Sequence, residues 1–354
     1  MIRMPWRLRA AAVVAATAAL LGTAPAAAQS NKLKLAITTI GWSYVPVLVA
    51  EKLGFYKQEG VDVEIINTGG GAKAAAALAG GSVDLFGTDA GFALKARARG
   101  ADVQLVGACM TEYATNIVTS RAWADKHGIN ERSTYQDKLR ALKGVTVGVL
   151  SRGSGHEQLV RFLAREGSID ADREMNITAM GTSDATLAAF MQNRIQAFVH
   201  SAPIGERAVK DHSGVMLFNM SKGDAKPLQG FLYTAFVGRE SWIKSNGDLL
   251  VRFLRAQQRA LNALHDPVQS VKARDALHAA YFSKLEPEFW AFVWDSNLAA
   301  FPKSVEMNEH QLRQAAELVS MFQTEPVPPA LVQASWTNTY AQRAAAELAK
   351  AGAR

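Results

Sequence analysis

Short apolar runs and amphipathic stretches alternate along most of the chain. Residues 32–39 and 61–66 have the pattern typical of strands, and the residues after 43 place their apolar side chains on one helical face. Gly54 then stands where this helix should end. Strands that alternate with helices are typical of α/β proteins. We therefore predict parallel-rich sheets flanked by helices.

The same order of elements occurs twice along the chain. The predicted strands are 32–39, 61–66 and 82–86 in the first set and 145–150, 176–180 and 196–200 in the second. Two similar sets predict two lobes with a ligand cleft between them, connected by residues 115–120 and 233–238. The first lobe then comprises residues 29–114 and 233–354, the second comprises 115–232, and the helices predicted after Asp248 cover the first lobe.

The first 28 residues have the composition of a secretory signal peptide. Arg3, Arg7 and Arg9 precede the apolar run 10–21, and Ala26-Ala27-Ala28 offers a cleavage site before Gln29. A membrane anchor is the alternative, but the apolar run is too short to span a bilayer comfortably. No cysteine lies near the cleavage site, which disfavours a lipid anchor. We therefore predict a signal peptide over residues 1–28 and a periplasmic mature protein.

Charge and cysteine content exclude two kinds of protein. Removal of the signal arginines lowers the net charge from +7 to +4, and no run of basic residues stands out, so a nucleic-acid partner is not expected. The single cysteine, Cys109, rules out an intramolecular disulfide. It lies in the apolar run 103–110, which predicts buried strand packing rather than a catalytic thiol.

Ligands in open parallel sheets bind at the loops that follow the carboxyl ends of the strands. This rule selects polar, aromatic and glycine residues in those loops. The candidate ligand-binding residues are Gly41, Trp42, Ser43, Gly70, Thr88, Asp89, Tyr113, Arg152, Ser154, His156, Ser183 and Ser201. For Trp42 an exposed indole that stacks on ligand is one interpretation, and packing between elements is the other.

Of these candidate positions, the loop after residue 150 has the most groups that could bind an anion. Ser154 and Glu157 have the spacing of a capping box, which fixes a helix start with free N–H groups. Arg152 adds a planar cation with several donors. These features predict a seat for a carboxylate, sulfonate or phosphate. The alternative is an ordinary helix cap beside a solvent-facing arginine.

Motifs for catalysis and metal binding are missing from the sequence. No Gly-x-Ser-x-Gly elbow occurs, and the seven histidines lack the spacing of metal ligands. Asp89 and Asp184 stand where helix caps are expected. We therefore predict no catalytic residue, no metal and no cofactor.

Three runs of sequence resemble a known family. They are VPVLVAEKLGFYKQEGVDVEIINTGGGAKAAAALAGGSVDLFGTDAG, LKGVTVGVLSRGSG and GTSDATLAAFMQNRIQAFVHSAP. They are similar to the periplasmic solute-binding proteins of ABC importers for nitrate, sulfonates, taurine and thiamine-precursor pyrimidines (SsuA/THI5-like, NMT1-like). The resemblance implies a class II periplasmic-binding-protein fold in which two crossover strands join the lobes. It also implies a monomer that captures a small organic ligand and delivers it to an inner-membrane ABC permease.

Two departures from the family pattern bear on function. The segment 123–137 is longer than the segment that usually leads into the second lobe in this family. The cysteine cluster of the pyrimidine-synthesising relatives is absent. Two alternatives to transport stay open at this point. One is an enzyme on the same fold that acts on a pyrimidine-like compound, and the other is a sensor that presents ligand to a membrane receptor.

Overall fold

The computed structural model describes residues 31–152, 154–322 and 326–352, so the predicted signal peptide lies outside the described residues. Within these residues, ten strands form two sheets of five. The strands of the first sheet are β1 Lys32–Ile37, β2 Asp62–Asn67, β3 Leu85–Thr88, β4 Gln104–Met110 and β10 Thr234–Gly238. Those of the second sheet are β5 Asn116–Thr119, β6 Thr146–Val149, β7 Asn176–Ala179, β8 Ala197–His200 and β9 Val215–Phe218.

The two sheets have the same arrangement of strands. The first has the order β2-β1-β3-β10-β4 and the second has the order β7-β6-β8-β5-β9. Strands β1 and β3 run parallel, as do β7, β6 and β8. The fourth place in each sheet is taken by a strand from one of the two connecting segments. This arrangement confirms the predicted bilobal α/β fold with two sheets flanked by helices.

The connecting strands make both sheets mixed. Strand β10 is antiparallel to β3 and β4, and β5 is antiparallel to β8 and β9. A parallel neighbour needs a crossover that returns the chain to the same end of the sheet. Strands β5 and β10 arrive instead from the other lobe, so no helical crossover sets their direction.

Helices cover both faces of the sheets. Those up to residue 211 are α1 Val45–Lys52, α2 Phe55–Gln58, α3 Gly71–Ala79, α4 Ala90–Ala98, α5 Arg121–Lys126, α6 Tyr135–Arg140, α7 Gly155–Glu166, α8 Ser183–Met191 and α9 Ile204–Asp211. The later ones are α10 Glu240–Ser245, α11 Gly247–His265, α12 Pro267–Leu277, α13 Pro287–Asn297, α14 Glu309–Ser320, α15 Pro329–Ala334 and α16 Thr339–Gly352. No described helix is both long and apolar enough to cross a membrane.

The long helix α11 packs on one face of the first sheet. Its apolar face is buried, as the spacing of its leucines and phenylalanine predicts. Phe253 of this helix stacks on Tyr56 at 5.9 Å between ring centroids and meets Phe236 of β10 edge-on at 5.0 Å. The helix therefore connects α2 to the central antiparallel strand of the sheet.

One late helix also reaches the second sheet. Asn297, at the end of α13, donates to Glu206 Oε1 of α9 at 2.8 Å, and Asn116 of β5 donates to the same oxygen at 3.0 Å. Burial raises the pKa of Glu206. The expectation that the late helices cover the first lobe is therefore incomplete, because α13 also contacts the second.

Two further details differ from the sequence prediction. Strand β9 was not predicted. The helical pattern predicted after Asp248 is interrupted between α15 and α16, because Trp336 pairs with Leu105 of β4 there. The Thr337 N–H donates to the Leu105 carbonyl at 2.9 Å. Cys109 is buried in β4, which confirms its predicted packing role.

Candidate functional site

A cavity of about 320 Å³ lies between the lobes, which is within the usual range for small-molecule sites. The first lobe and the connecting segments supply most of its wall, and the start of α7 supplies the part from the second. The lining residues are Thr38, Ser43, Tyr44, Gly71, Phe86, Thr88, Asp89, Lys95, Tyr113, Gly155, Gln158, Phe231, Tyr233, Thr234 and Leu318. Ser43, Thr88, Asp89 and Tyr113 are predicted site residues. Gly71 lines the cavity where its neighbour Gly70 was expected.

A larger cavity, of about 750 Å³, lies elsewhere. It is bounded by the carboxyl-terminal half of α7 at Phe162, by Leu228 and by helix α14. None of the loops at the carboxyl ends of the parallel strands lines it. The smaller cavity is therefore the candidate site, because those loops meet there.

The strand ends place two threonines and an aspartate in the cavity. Thr38 follows β1, and Thr88 ends the parallel neighbour β3. Asp89 then begins α4, where its Oδ1 accepts the Phe92 N–H at 3.0 Å. This confirms the capping role expected for Asp89. Asp184, by contrast, is not a cap, because Thr182 caps α8 through the Ala185 N–H.

A buried tyrosine supports the floor of the site. Tyr44 Oη donates to the Gly87 carbonyl at 2.8 Å and lies 3.0 Å from Thr38 Oγ1. Burial raises the pKa of Tyr44 to about 12, so the hydroxyl keeps its proton at physiological pH. Gly87 is needed for this packing, because a Cβ there would lie 2.8 Å from Cε1 of the Tyr44 ring.

Replacing Gly87 with alanine is expected to destabilise the protein by about 1–3 kcal/mol, the usual effect of overpacking a tight core. Urea unfolding would measure this change. Gly71→Ala is the matched control, since Gly71 also lines the cavity but a Cβ there has no atom within 4 Å. Its free energy of unfolding should stay within about 0.5 kcal/mol of wild type. Equal effects of the two substitutions would contradict this packing argument.

Aromatic rings form one wall and join the lobes. Tyr113 lies 4.9 Å from Tyr233 and 5.4 Å from Phe231 between ring centroids. Its hydroxyl donates across the cleft to the Gly155 carbonyl, in the first turn of α7, at 2.9 Å. Tyr113 therefore contributes an apolar face to the cavity and a direct hydrogen bond between the lobes.

Lys95 is a lining residue that the sequence analysis missed. It lies on α4, two turns after the cap Asp89, and is partly exposed. It makes no ion pair with any described carboxylate. The carboxylate of Asp89 lines the same cavity but does not pair with it. The spacing of Asp89, Phe92 and Lys95 on one helical face was the signal that could have identified it.

The anion seat predicted at Arg152 is not supported by the geometry. Its guanidinium pairs with Glu157 Oε1 at 2.9 Å and donates to the Ile177 carbonyl, and the side chain does not line the cavity. Glu157 also binds Arg161, and the described residues at this helix start show no capping box. Ser154 still caps α7, since its Oγ accepts the Glu157 N–H at 3.4 Å. The alternative interpretation, a cap beside an arginine, describes this loop.

The structure also corrects the expectation that the Trp42 indole is exposed. Its exposed fraction is 3%, and its ring packs against Trp290, Trp294 and Phe301 at centroid distances of 5.4–6.1 Å. The cause is a 3-10 turn, Trp42–Tyr44, which carries the side chain beneath the late helices. Ser43 lies within the same turn. Neither Trp42 nor Gly41 lines the cavity.

Three further predicted residues come together on the second lobe. His156 begins α7, Ser183 begins α8 and Ser201 follows β8, so each comes from the carboxyl end of a parallel strand. His200, which the sequence analysis missed, joins them: Ser183 Oγ lies 2.8 Å from its Nε2, and the Ser201 carbonyl lies 3.0 Å from its Nδ1. The ring of His156 lies 5.6 Å from that of His200.

Burial favours the neutral form of both histidines. It lowers the pKa of His156 to about 4 and lowers that of His200 below its usual value. The described residues contain no group of three or more histidine, cysteine or acidic side chains that could hold a metal ion. This cluster is therefore a set of neutral hydrogen-bonding groups.

A sequence model of the NMT1-like family matches residues 26–278. Among curated proteins, the chain is 25% identical over 235 residues to YtlA of Bacillus subtilis (strain 168), a candidate binding protein by its name. It is 22% identical over 246 residues to 4-amino-5-hydroxymethyl-2-methylpyrimidine phosphate synthase of Schizosaccharomyces pombe. These matches cover 65% of this chain in both cases, and 65% and 64% of the relatives, so each relative is matched over just under two thirds of its length.

Solved structures show the same fold. The periplasmic aliphatic sulphonate-binding protein SsuA of Escherichia coli superposes with a TM-score of 0.67 at 19% sequence identity. The superposition covers 88% of this chain and 99% of that one. This likeness extends to both lobes and agrees with the matched strand orders of the two sheets.

Proposed function

Because the chain belongs to the NMT1-like family, we propose that it captures a small organic ligand between its lobes and delivers it to an inner-membrane ABC permease. The observation that carries this proposal is the cavity of about 320 Å³ between the lobes. Its walls combine aromatic rings with a few polar groups, as small-molecule sites do. A binding role also agrees with the names of YtlA and SsuA.

We propose that the ligand has an apolar or flat body and an anionic group. The body would pack against Tyr113 and Phe231, and the anionic group would pair with Lys95, the lining cation that has no carboxylate partner among the described residues. Thr38 and Thr88 offer hydroxyls to the polar part. This places the anion on the first lobe rather than at Arg152.

Ligand capture would work by closure of the lobes. The lobe boundaries remain those predicted, 29–114 with 233–354 and 115–232, and the strand membership of the sheets supports them. The stretches of chain just before the two connecting segments touch, since the Glu112 carboxylate accepts the Gly230 N–H at 3.0 Å. Hinges are usually a few residues at element ends. We therefore place the hinge at residues 112–119 and 230–238 of a monomer exported to the periplasm.

Native mass spectrometry of the gently purified periplasmic protein tests this proposal. We expect a mature chain that begins near Gln29 and carries a bound organic molecule, released on denaturation. Thr88→Trp should abolish that binding, because an indole at this lining position fills much of the cavity. Thr88→Ser, which keeps the hydroxyl, should retain it. Retention of the molecule by a folded Thr88→Trp variant would place the site elsewhere.

A second candidate function rests on the match to the Schizosaccharomyces pombe synthase. An enzyme on this fold would convert a pyrimidine-like compound rather than carry it. The single cysteine is buried in β4 and unavailable for chemistry, which disfavours this function. Incubation of the protein with the molecule identified by mass spectrometry distinguishes the two, since a binding protein releases that molecule unchanged and an enzyme converts it.

A further inference from the structure

We propose that Ser183 is a nucleophile activated by His200, so that the second lobe carries an acyl-transfer centre for small carboxylic esters. This activity is additional to ligand capture. Ser183 and His200 do not line the cavity between the lobes, although the adjacent Ser201 hydroxyl lies 3.4 Å from Thr115 Oγ1, which in turn lies 3.1 Å from the hydroxyl of the lining Tyr233. The geometry has the three parts that a serine nucleophile requires: a base within hydrogen-bond reach, a third group that orients the base, and donors for the oxyanion.

The hydrogen bonds assign the proton positions in this centre. The Ser201 carbonyl can only accept, so His200 Nδ1, at 3.0 Å, must donate to it. Nε2 of the neutral ring is then the acceptor, and the Ser183 hydroxyl donates to it at 2.8 Å. The carbonyl thus fixes the tautomer that a general base needs, which is the role a carboxylate has in the better-known triads.

The start of α8 supplies the oxyanion donors. Thr182 caps this nine-residue helix by accepting the Ala185 N–H. The N–H groups of Ser183 and Asp184 precede the helix's own hydrogen bonding and have no acceptor among the described residues. An oxyanion formed on a carbon bonded to Ser183 Oγ would lie next to both, at the positive end of the helix dipole.

Exposure and polarity fit a reaction at this position. Ser183 is partly exposed, whereas His200 is buried at 9% exposure, so the nucleophile is open to substrate while its base is shielded from water. His156 Nδ1 is buried without a hydrogen-bond partner, and its ring lies 5.6 Å from His200. A bound ester would satisfy that atom through one of its oxygens.

The reaction needs only an ester and water. Ser183 Oγ bonds to the ester carbonyl carbon while its proton moves to His200 Nε2. The carbon–alkoxy bond then breaks, and His200 returns the proton to the leaving oxygen, which gives the alcohol and an acyl-serine. Water attacks the acyl carbon with His200 accepting its proton, and the return of that proton to Ser183 releases the carboxylic acid.

Labelling with a fluorophosphonate probe tests the nucleophile on the full chain. We expect covalent labelling at Ser183, located by peptide mass spectrometry, and slow hydrolysis of 4-nitrophenyl acetate. Ser183→Ala should abolish the labelling, and His200→Gln should lower both rates by about 10²–10⁴-fold, the usual contribution of a general base. Ser245→Ala, which alters a serine on α10 in the first lobe, is the control and should change neither rate.

The outcome is decisive because Ser183→Ala should fold. The substitution leaves the Thr182 cap intact and removes a partly exposed hydroxyl, and its unfolding curve would confirm this. Absence of labelling in wild type, or equal labelling of Ser183→Ala, overturns the proposal. Neither result bears on ligand capture, which the mass spectra and Thr88→Trp test independently.

Discussion

Replacing Lys95 with methionine is expected to weaken ligand binding about ten- to a hundredfold. Lys95 lines the cavity between the lobes, and none of the described carboxylates forms an ion pair with it. Loss of a hydrogen bond to a charged group typically costs about 1.5–3 kcal/mol, and each 1.4 kcal/mol is about tenfold in affinity. Methionine keeps the length and apolar character of the side chain, so the change removes little besides the charge.

Calorimetric titration with the molecule identified by mass spectrometry would measure the effect. Arg152→Ala is the control, because its guanidinium already binds Glu157 and the Ile177 carbonyl outside the cavity. It should bind ligand like wild type. Unchanged affinity in Lys95→Met would show that the ligand has no anionic group at this position, and tighter binding would show a cationic one near Asp89.

Replacing Glu59 with glutamine is expected to lower the free energy of unfolding by about 3–5 kcal/mol, the usual effect of breaking a buried ion pair. The Glu59 side chain is 1% exposed and pairs with Arg255 and Arg259 at 2.5 Å. Both arginines lie on α11. Because Glu59 directly follows α2, these ion pairs connect the end of α2 to the long helix that packs on the first sheet. Glutamine has nearly the same shape but removes the carboxylate that Arg259 pairs with among the described residues, while Arg255 keeps Glu347 at 2.9 Å.

Urea unfolding would measure this loss. Glu309→Gln is the matched control, because Glu309 pairs with Arg313 at 2.7 Å on the surface of α14, where both side chains are more than half exposed. Surface pairs contribute about 0–1 kcal/mol, so this variant should unfold near wild type. If Glu59→Gln is equally mild, the Glu59 pair does not hold α11 in place.

The elements around the site could be predicted because local patterns determine them. Asp89 caps α4 and Thr182 caps α8 in loops that the strand–helix alternation located within a few residues. Ser43, Thr88 and Asp89 were selected by the rule that ligand loops follow parallel strands, and all three line the cavity.

The site features that the sequence did not predict are determined by contacts between residues far apart in the sequence. Trp42 is buried because Trp290 and Trp294, some 250 positions later, cover it. Arg152 is occupied in part because it donates to the Ile177 carbonyl, 25 positions later. Phe231 and Leu318 reach the cavity from the second connecting segment and from α14. No periodicity along the chain carries that information.

The lone thiol described in β4 makes the protein suitable for site-specific labelling. Cys109 is 1% exposed, its Sγ lies 3.8 Å from the Ser43 carbonyl, and burial raises its pKa. Thiolates are the form that reacts with maleimides, so the folded chain resists the dye at this position. A single added cysteine on an exposed loop of the second lobe, such as Ser151→Cys, would then take the fluorophore alone. The protein could thereby become an optical biosensor for its own ligand without replacement of the native Cys109.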